Sequence, residues 1–280
     1  RLPLLYSCIM RSRQLLRAGY DTGFSIITEE TCLYLPRYHE IRKTQMRIYV
    51  MCDQEGTSGM VHFENRDDTD PWNTWLRQRI MKLQTAELQA AIDGLVDAGA
   101  TDIVVNDSHG SGYNILFERL RGPVRVIHGN PDHAEFWMSR LDDSFDAGCY
   151  LGGHPMEGTE IGILPHTRWV LNGTPVGEVG TAMALFGFFG VPTVMVSGDR
   201  AVEAEVKALC EQTEVAVVKE ALAPDIAIEH LPVNARKMIY RAAYMGLTRL
   251  SEIPPVCFEP PYHLVHGSGR EYVGDDLYQA

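Results

Sequence analysis

The stretch Met46–Gly56, MRIYVMCDQEG, decides how the rest of the chain folds. Residues 48–52 form a short apolar run that stops abruptly at Asp53, Glu55 and Gly56. Apolar residues ending in charge and glycine are the signature of a buried strand delivered into a polar loop. A helix signal follows: Asp70 can cap, Pro71 suits the first helical position, Trp72, Leu76, Ile80 and Leu83 recur on one face, and Gly99 ends the pattern. Working outward, strands are expected at 102–106, 124–128, 148–152, 191–197 and 214–218, and helices at 71–98, 177–189, 202–211 and 232–248. This alternation predicts an α/β fold, a mostly parallel sheet flanked by helices.

Three parts are expected. Residues 1–45 read as an N-terminal extension outside the fold: 2–10 is apolar but precedes Arg11, Arg13 and Arg17, the wrong charge order for a secretory signal. Residues 46–220 are expected to form the main α/β domain, and 221–280 a smaller helical C-terminal part that looks shortened. The tail SEIPPVCFEPPY, 251–262, is rich in proline and supports no structural assignment.

A chain of 280 residues with 45% hydrophobic content can bury a large core. Its formal charge of −12 repels phosphate backbones and anionic lipid, so neither nucleic acid nor membrane is expected as a partner. Residues 1–45 carry 7 of the 25 Lys and Arg but only 4 of the 37 Asp and Glu, which leaves the remainder still more acidic. No apolar stretch approaches the roughly 18 to 20 residues that span a bilayer. The six cysteines are scattered, without a CxxC pair, as expected of reduced thiols in a cytoplasmic protein.

In an open parallel sheet, ligands gather outside the carboxyl ends of the strands. The residues there are of metal-ligand type: Asp53 and Glu55 after the first strand, His109 after the second, His154 after the fourth. His166 follows a short extended run, and Glu178 opens a helix in GEVG. Singly each has a commoner role, as a turn or cap residue. Together, carboxylate oxygen and imidazole nitrogen suit zinc, manganese or cobalt, and three carboxylates with two histidines suffice for two ions that share one carboxylate and hold a hydroxide between them.

Four segments, MRIYVMCDQEGTSGM (46–60), DIVVNDSHGSG (102–112), LGGHPMEGTEIGILPHT (151–167) and LNGTPVGEVG (171–180), resemble in order and spacing the DppA-type family of D-aminopeptidases. The resemblance runs from Met46 to about Thr248. It implies two zinc ions per subunit, with Asp53 shared, Glu55 and His154 on one ion and His109 and Glu178 on the other. The matching catalytic histidine is His166, as base, acid or nucleophile. The resemblance also implies aminopeptidase action on short peptides, with D-residue preference, inside a ring-shaped homo-oligomer. Gln54 stands where the family commonly has Met. Two other readings are a dinuclear-metal hydrolase of another amide or phosphoester, the phosphoester disfavoured because no Lys and Arg cluster adjoins the motifs, and a non-catalytic ring-forming homologue.

Other polar residues have plainer roles. Asp107 could orient the His109 imidazole or cap its turn. Glu87, on the apolar face of the first helix, needs a partner, with an Arg salt bridge the expected one. His62, His128 and His133 are expected to be structural, Cys52 a small buried hydrophobe, and SGDRA (197–201) a turn into a helix. Ser58 and Ser108 lack the GxSxG elbow of a serine hydrolase.

Overall fold

A computed structural model describes residues 45–279, apart from 64–68, 111, 131–133 and 135. Residues 1–44 of the expected extension and His133 lie outside the described residues. In chain order the elements are β1 (Arg47–Cys52), α1 (Pro71–Asp97), β2 (Asp102–Asp107), β3 (Val124–Ile127), β4 (Ala147–Gly153), β5 (Trp169–Leu171), β6 (Thr174–Val176), α2 (Glu178–Phe188), β7 (Thr193–Asp199), α3 (Arg200–Leu209), β8 (Glu214–Ala223), β9 (Ile226–Glu229), α4 (Pro232–Thr248), β10 (Tyr262–Val265) and β11 (Glu271–Gly274).

Seven strands form the main sheet, in the order β3-β2-β1-β4-β7-β8-β9. All neighbours are parallel except β8 and β9, which close one edge antiparallel. The mostly parallel α/β architecture expected from the sequence is therefore the observed one. The chain runs outward from β1 through β2 to β3, then returns to β1's other side with β4. Strand order thus reverses between β1 and β4, and the loops leaving those two strands diverge around a crevice.

Strands buried on both faces need apolar residues throughout, and Ile48–Cys52 and Ala147–Gly153 are buried along their length. Tyr49 of β1 packs edge-on against Phe145 and Phe186, ring centroids 5.2 and 5.8 Å away. The Asp70 side chain accepts from the Trp72 N–H at 2.7 Å to start α1, with Pro71 next, as the sequence predicts. Beyond the helix, Gly99 takes φ +109, a left-handed turn natural to glycine. Helices α1 and α4 cross so closely that a Cβ on Gly94 would sit 2.4 Å from the Tyr240 carbonyl oxygen.

A second sheet, antiparallel in the order β11-β10-β5-β6, was not anticipated. It joins the proline-rich tail to the segment between His166 and Glu178: Leu264 pairs with Leu171 and Val265 with Val170. Among the described residues, no helix is long and apolar enough to cross a membrane.

Candidate metal centre

All six residues expected to form the site converge at the crevice between β1 and β4. Asp53 and Glu55 leave β1, His109 leaves β2, His154 follows β4 directly, His166 lies on the loop before β5, and Glu178 is the first residue of α2. Backbone crowding makes the convergence tight. Gly152, at φ +75, brings its Cα so near that an added Cβ would lie 2.3 Å from the Asp53 carbonyl oxygen. A Cβ on Gly56 would lie 2.2 Å from the Gly153 oxygen.

His109 Nδ1 stands 2.9 Å from Glu55 Oε2 and 3.4 Å from Asp53 Oδ1. His154 Nε2 stands 3.7 Å from Asp53 Oδ2 and 3.6 Å from Glu178 Oε2. His166 Nε2 faces Glu55 Oε1 at 3.7 Å and Glu178 Oε1 at 3.8 Å, and its ring stacks on His154 with centroids 3.7 Å apart. Among the described residues, two groups have their donor atoms within 4.8 Å of one another: Asp53, Glu55 and His154, and His154, His166 and Glu178.

These donors fit metal cations. His154 Nδ1 donates to its neighbour, the Pro155 carbonyl, at 3.0 Å, which places the lone pair on Nε2. That Nε2 is buried and has no hydrogen-bond partner, since its carboxylate neighbours lie beyond hydrogen-bonding distance. A lone pair facing carboxylates at that range calls for a cation between them, whether proton or metal ion. The electrostatics agree. Burial disfavours the imidazolium of His154, but Glu178 and Asp53 outweigh burial and hold its pKa at about 10. Burial and the charge of Glu55 raise Asp53, whereas at Glu55 the effect of burial is overcome by His109, which holds that carboxyl below the usual range.

Further side chains hold the donors in place. Tyr150 donates its hydroxyl to Asp53 Oδ2 at 3.1 Å, and burial beside Asp53 keeps the phenol protonated. Thr167 Oγ1 donates to Glu178 Oε1 at 2.8 Å. Gln84 of α1 donates to the Asp53 carbonyl at 2.8 Å and accepts from Gln54 Nε2 at 3.0 Å, so the Gln54 departure is matched by a polar partner. From β8, the fully buried Lys219 ammonium donates to the carbonyls of Glu55 and Met60 at 2.6 and 2.5 Å. Asp199 accepts from Ile163 N–H at 3.0 Å, tying the His166 loop to the end of β7, and caps α3 through Ala201 N–H.

Asp107 caps the His109 loop: its carboxylate accepts from the Asn114 backbone and side chain at 2.9 and 2.7 Å, and Asn114 Nδ2 donates to the His109 carbonyl. His128 Nδ1 lies 3.2 Å from the same carboxylate, a structural role. Glu87 differs from the expected Arg salt bridge. Its Oε1 accepts from the Ser58 N–H at 3.1 Å, with Lys219 and Arg236 supplying positive charge nearby.

Asp53, Glu55, His109, His166 and Glu178, with His154 buried behind them, line a cavity of about 480 Å3, walled by Trp137 and Trp169 and rimmed by Glu157, Arg168 and His266. This falls in the size range of small-molecule sites, roughly 300–1,000 Å3. A cavity of about 540 Å3 between α1 and α4 brings together no comparable donor set. Tyr150, Gln84, Thr167 and Lys219 went unrecognised in the sequence. Lys219 alone carried a signal, a charge inside the apolar run EVAVVKEALA (214–223).

Fold and site together define an α/β protein with a carboxylate–imidazole cluster, suited to holding metal cations, at the switch point of a mostly parallel sheet. Comparison with known proteins gives the class a family. The profile of a family described as D-aminopeptidase matches residues 46–267, and the chain belongs to that family. A D-aminopeptidase of Bacillus subtilis (strain 168) is 28% identical over 221 residues, 75% of this chain and 77% of the relative. Among solved structures, the Zn-dependent D-aminopeptidase DppA from Bacillus subtilis, described as a self-compartmentalizing protease, matches with TM-score 0.75 at 23% identity, over 84% of this chain and 93% of that one. At that identity the match speaks for the fold.

Proposed function

We propose that this chain is a zinc-dependent aminopeptidase that removes the N-terminal residue of short peptides, including those beginning with a D-amino acid. The observation that carries the reading is the convergence of Asp53, Glu55, His109, His154, His166 and Glu178 on one crevice, with His154 Nε2 buried and without a partner. Family membership supports the peptidase chemistry and the D-preference. We assign two zinc ions per subunit: Asp53 shared, Glu55 and His154 completing one set, His109 and Glu178 the other. Manganese or cobalt suits the same donors. When bound, such ions supply Lewis acidity toward a carbonyl and make water acidic enough to ionise near neutral pH.

The chain's own residues do the rest. His166 Nδ1 donates to the Leu164 carbonyl at 2.8 Å, so Nε2 is the atom that takes up and returns a proton. Tyr150 and Thr167 each engage one carboxylate oxygen, of Asp53 and Glu178, and so fix which lone pairs face the cavity. Trp137 and Trp169 meet edge-on at 6.2 Å and shield one side of the cavity from water. All assigned ligands fall within 46–220, the part we take as the catalytic domain.

The described relative's self-compartmentalization supports a ring-shaped homo-oligomer here, admitting short peptides to enclosed sites; light scattering that shows only monomer would reject it. Action in the cytoplasm fits the buried thiols Cys52, Cys149 and Cys210, which form no disulfide among the described residues. The enzyme reading is tested by metal analysis together with hydrolysis of paired D- and L-aminoacyl amides, with and without a chelator. Retained zinc, loss of activity on chelation, recovery on zinc addition and faster turnover of the D-series are expected. Hydrolysis indifferent to chelation would overturn it.

A further inference from the structure

We propose that Arg168 anchors the substrate's C-terminal carboxylate, so that the pocket selects short peptides with a free C-terminus. This rests on the aminopeptidase reading above. The cavity is acidic, lined by Asp53, Glu55, Glu157 and Glu178, and Arg168 is the one Lys or Arg among its described lining residues. The chain carries 37 Asp and Glu against 25 Lys and Arg, so ion-pair partners are plentiful. Yet the exposed Arg168 guanidinium forms no ion pair or hydrogen bond among the described residues. Three of the four lining acids are otherwise engaged, Glu178 by Thr167, Glu55 by His109 and Asp53 by Tyr150, and the fourth, Glu157, forms no ion pair with Arg168.

Local backbone geometry puts the guanidinium there. Thr167 takes φ +58, a left-handed conformation that turns the chain sharply between His166 and β5. The turn sends the Thr167 hydroxyl to Glu178, while Arg168 runs along the cavity wall beside Gly158, where an added Cβ would lie 3.8 Å from Nη1. A proton-transfer imidazole and an unpaired guanidinium two residues apart thus face one cavity. A peptide whose first carbonyl lies at the ligand cluster extends its next residue away from it, and in a dipeptide that residue ends in the carboxylate. A planar guanidinium receives a carboxylate through two parallel N–H bonds, with selectivity that a point charge lacks.

The test compares D-alanyl-glycine with D-alanyl-glycinamide on the zinc-loaded full chain. Wild type is expected to favour the free acid by about tenfold in kcat/KM, or about 1.4 kcal/mol, expressed mainly in KM. Arg168→Met should bring the ratio to about one, and Arg168→Lys should restore part of it by keeping the charge without the fork. A wild-type ratio near one, or a ratio unchanged in Arg168→Met, would overturn the proposal. Failure to hydrolyse either compound would instead strike the aminopeptidase reading. Calorimetric binding then still decides on Arg168: tighter binding of the acid than the amide, lost in Arg168→Met, sustains the anchor, and equal binding removes it.

Discussion

Glu87 is a buried carboxylate held by one backbone N–H, and burial, partly offset by Ser58 and Lys219, raises its pKa from 4.5 to about 8. Between those values the unfolded chain has released this proton and the folded chain keeps it. Folding therefore binds a proton, and stability falls as pH rises through the window, by at most about 1.4 kcal/mol per pH unit. Glu87→Gln keeps the Ser58 bond through its amide oxygen and has no proton to lose. Urea denaturation at pH 5, 6.5 and 8 should show the variant gaining on wild type at each step. Parallel profiles would mean that Lys219 and Arg236 hold the carboxylate ionised throughout. Lys219→Met makes a second prediction: with the Glu55 and Met60 carbonyls left unpaired, stability should drop by about 1–3 kcal/mol, and zinc should bind more weakly as the Glu55 loop loosens. A stable variant with full zinc affinity would deny Lys219 that positioning role. Why one residue was legible and the other was not is physical. Asp53 ends an apolar run where ligands gather, whereas Lys219 shows its contrast inside a strand and bonds two backbone carbonyls, partners that no residue type marks.

At the scale of elements, the site depends on how closely three strand ends approach. Gly152, at φ +75, faces the Asp53 carbonyl with no room for a methyl group. Gly152→Ala must displace either Asp53 or the strand that delivers His154, so zinc content should fall sharply while far-ultraviolet circular dichroism stays close to wild type. Gly94→Ala is the matched control away from the site. A Cβ there meets the Tyr240 carbonyl oxygen at 2.4 Å, prising α1 from α4; about 1–3 kcal/mol should be lost with zinc stoichiometry intact. If both variants lose zinc equally, global loosening accounts for the effect and the local argument fails. Most of the main sheet was readable because its inner strands are apolar runs cut off by charge or glycine, and α4 matched its expected span, Pro232–Thr248, whereas the edge strand β9, Ile226–Glu229, exposed at alternate positions, was not expected. The second sheet was not, because β5 and β6 are three residues each. Such strands show too little alternation to register, and their partner β10 comes from a proline-rich tail some ninety residues later.

For the whole molecule, the proposed zinc site is a charge argument: three carboxylates, Asp53, Glu55 and Glu178, meet at one crevice of a chain whose net charge is already −12, and divalent cations bound there would relieve their repulsion. An ion that binds the folded chain and not the unfolded one stabilises it by RT ln(1 + [L]/Kd), so above Kd each tenfold rise in free zinc adds about 1.4 kcal/mol per bound ion. Denaturant unfolding in zinc buffers therefore counts ions without any assay of activity. Two ions per subunit give a slope near 2.7 kcal/mol per decade, one ion gives half of it, and a flat line would remove the metal reading altogether. Asp53→Asn distinguishes a shared carboxylate from two independent sites. If Asp53 serves both ions, the single substitution weakens both, and the full slope appears only at higher zinc. If it serves one, half the slope survives at the original concentrations.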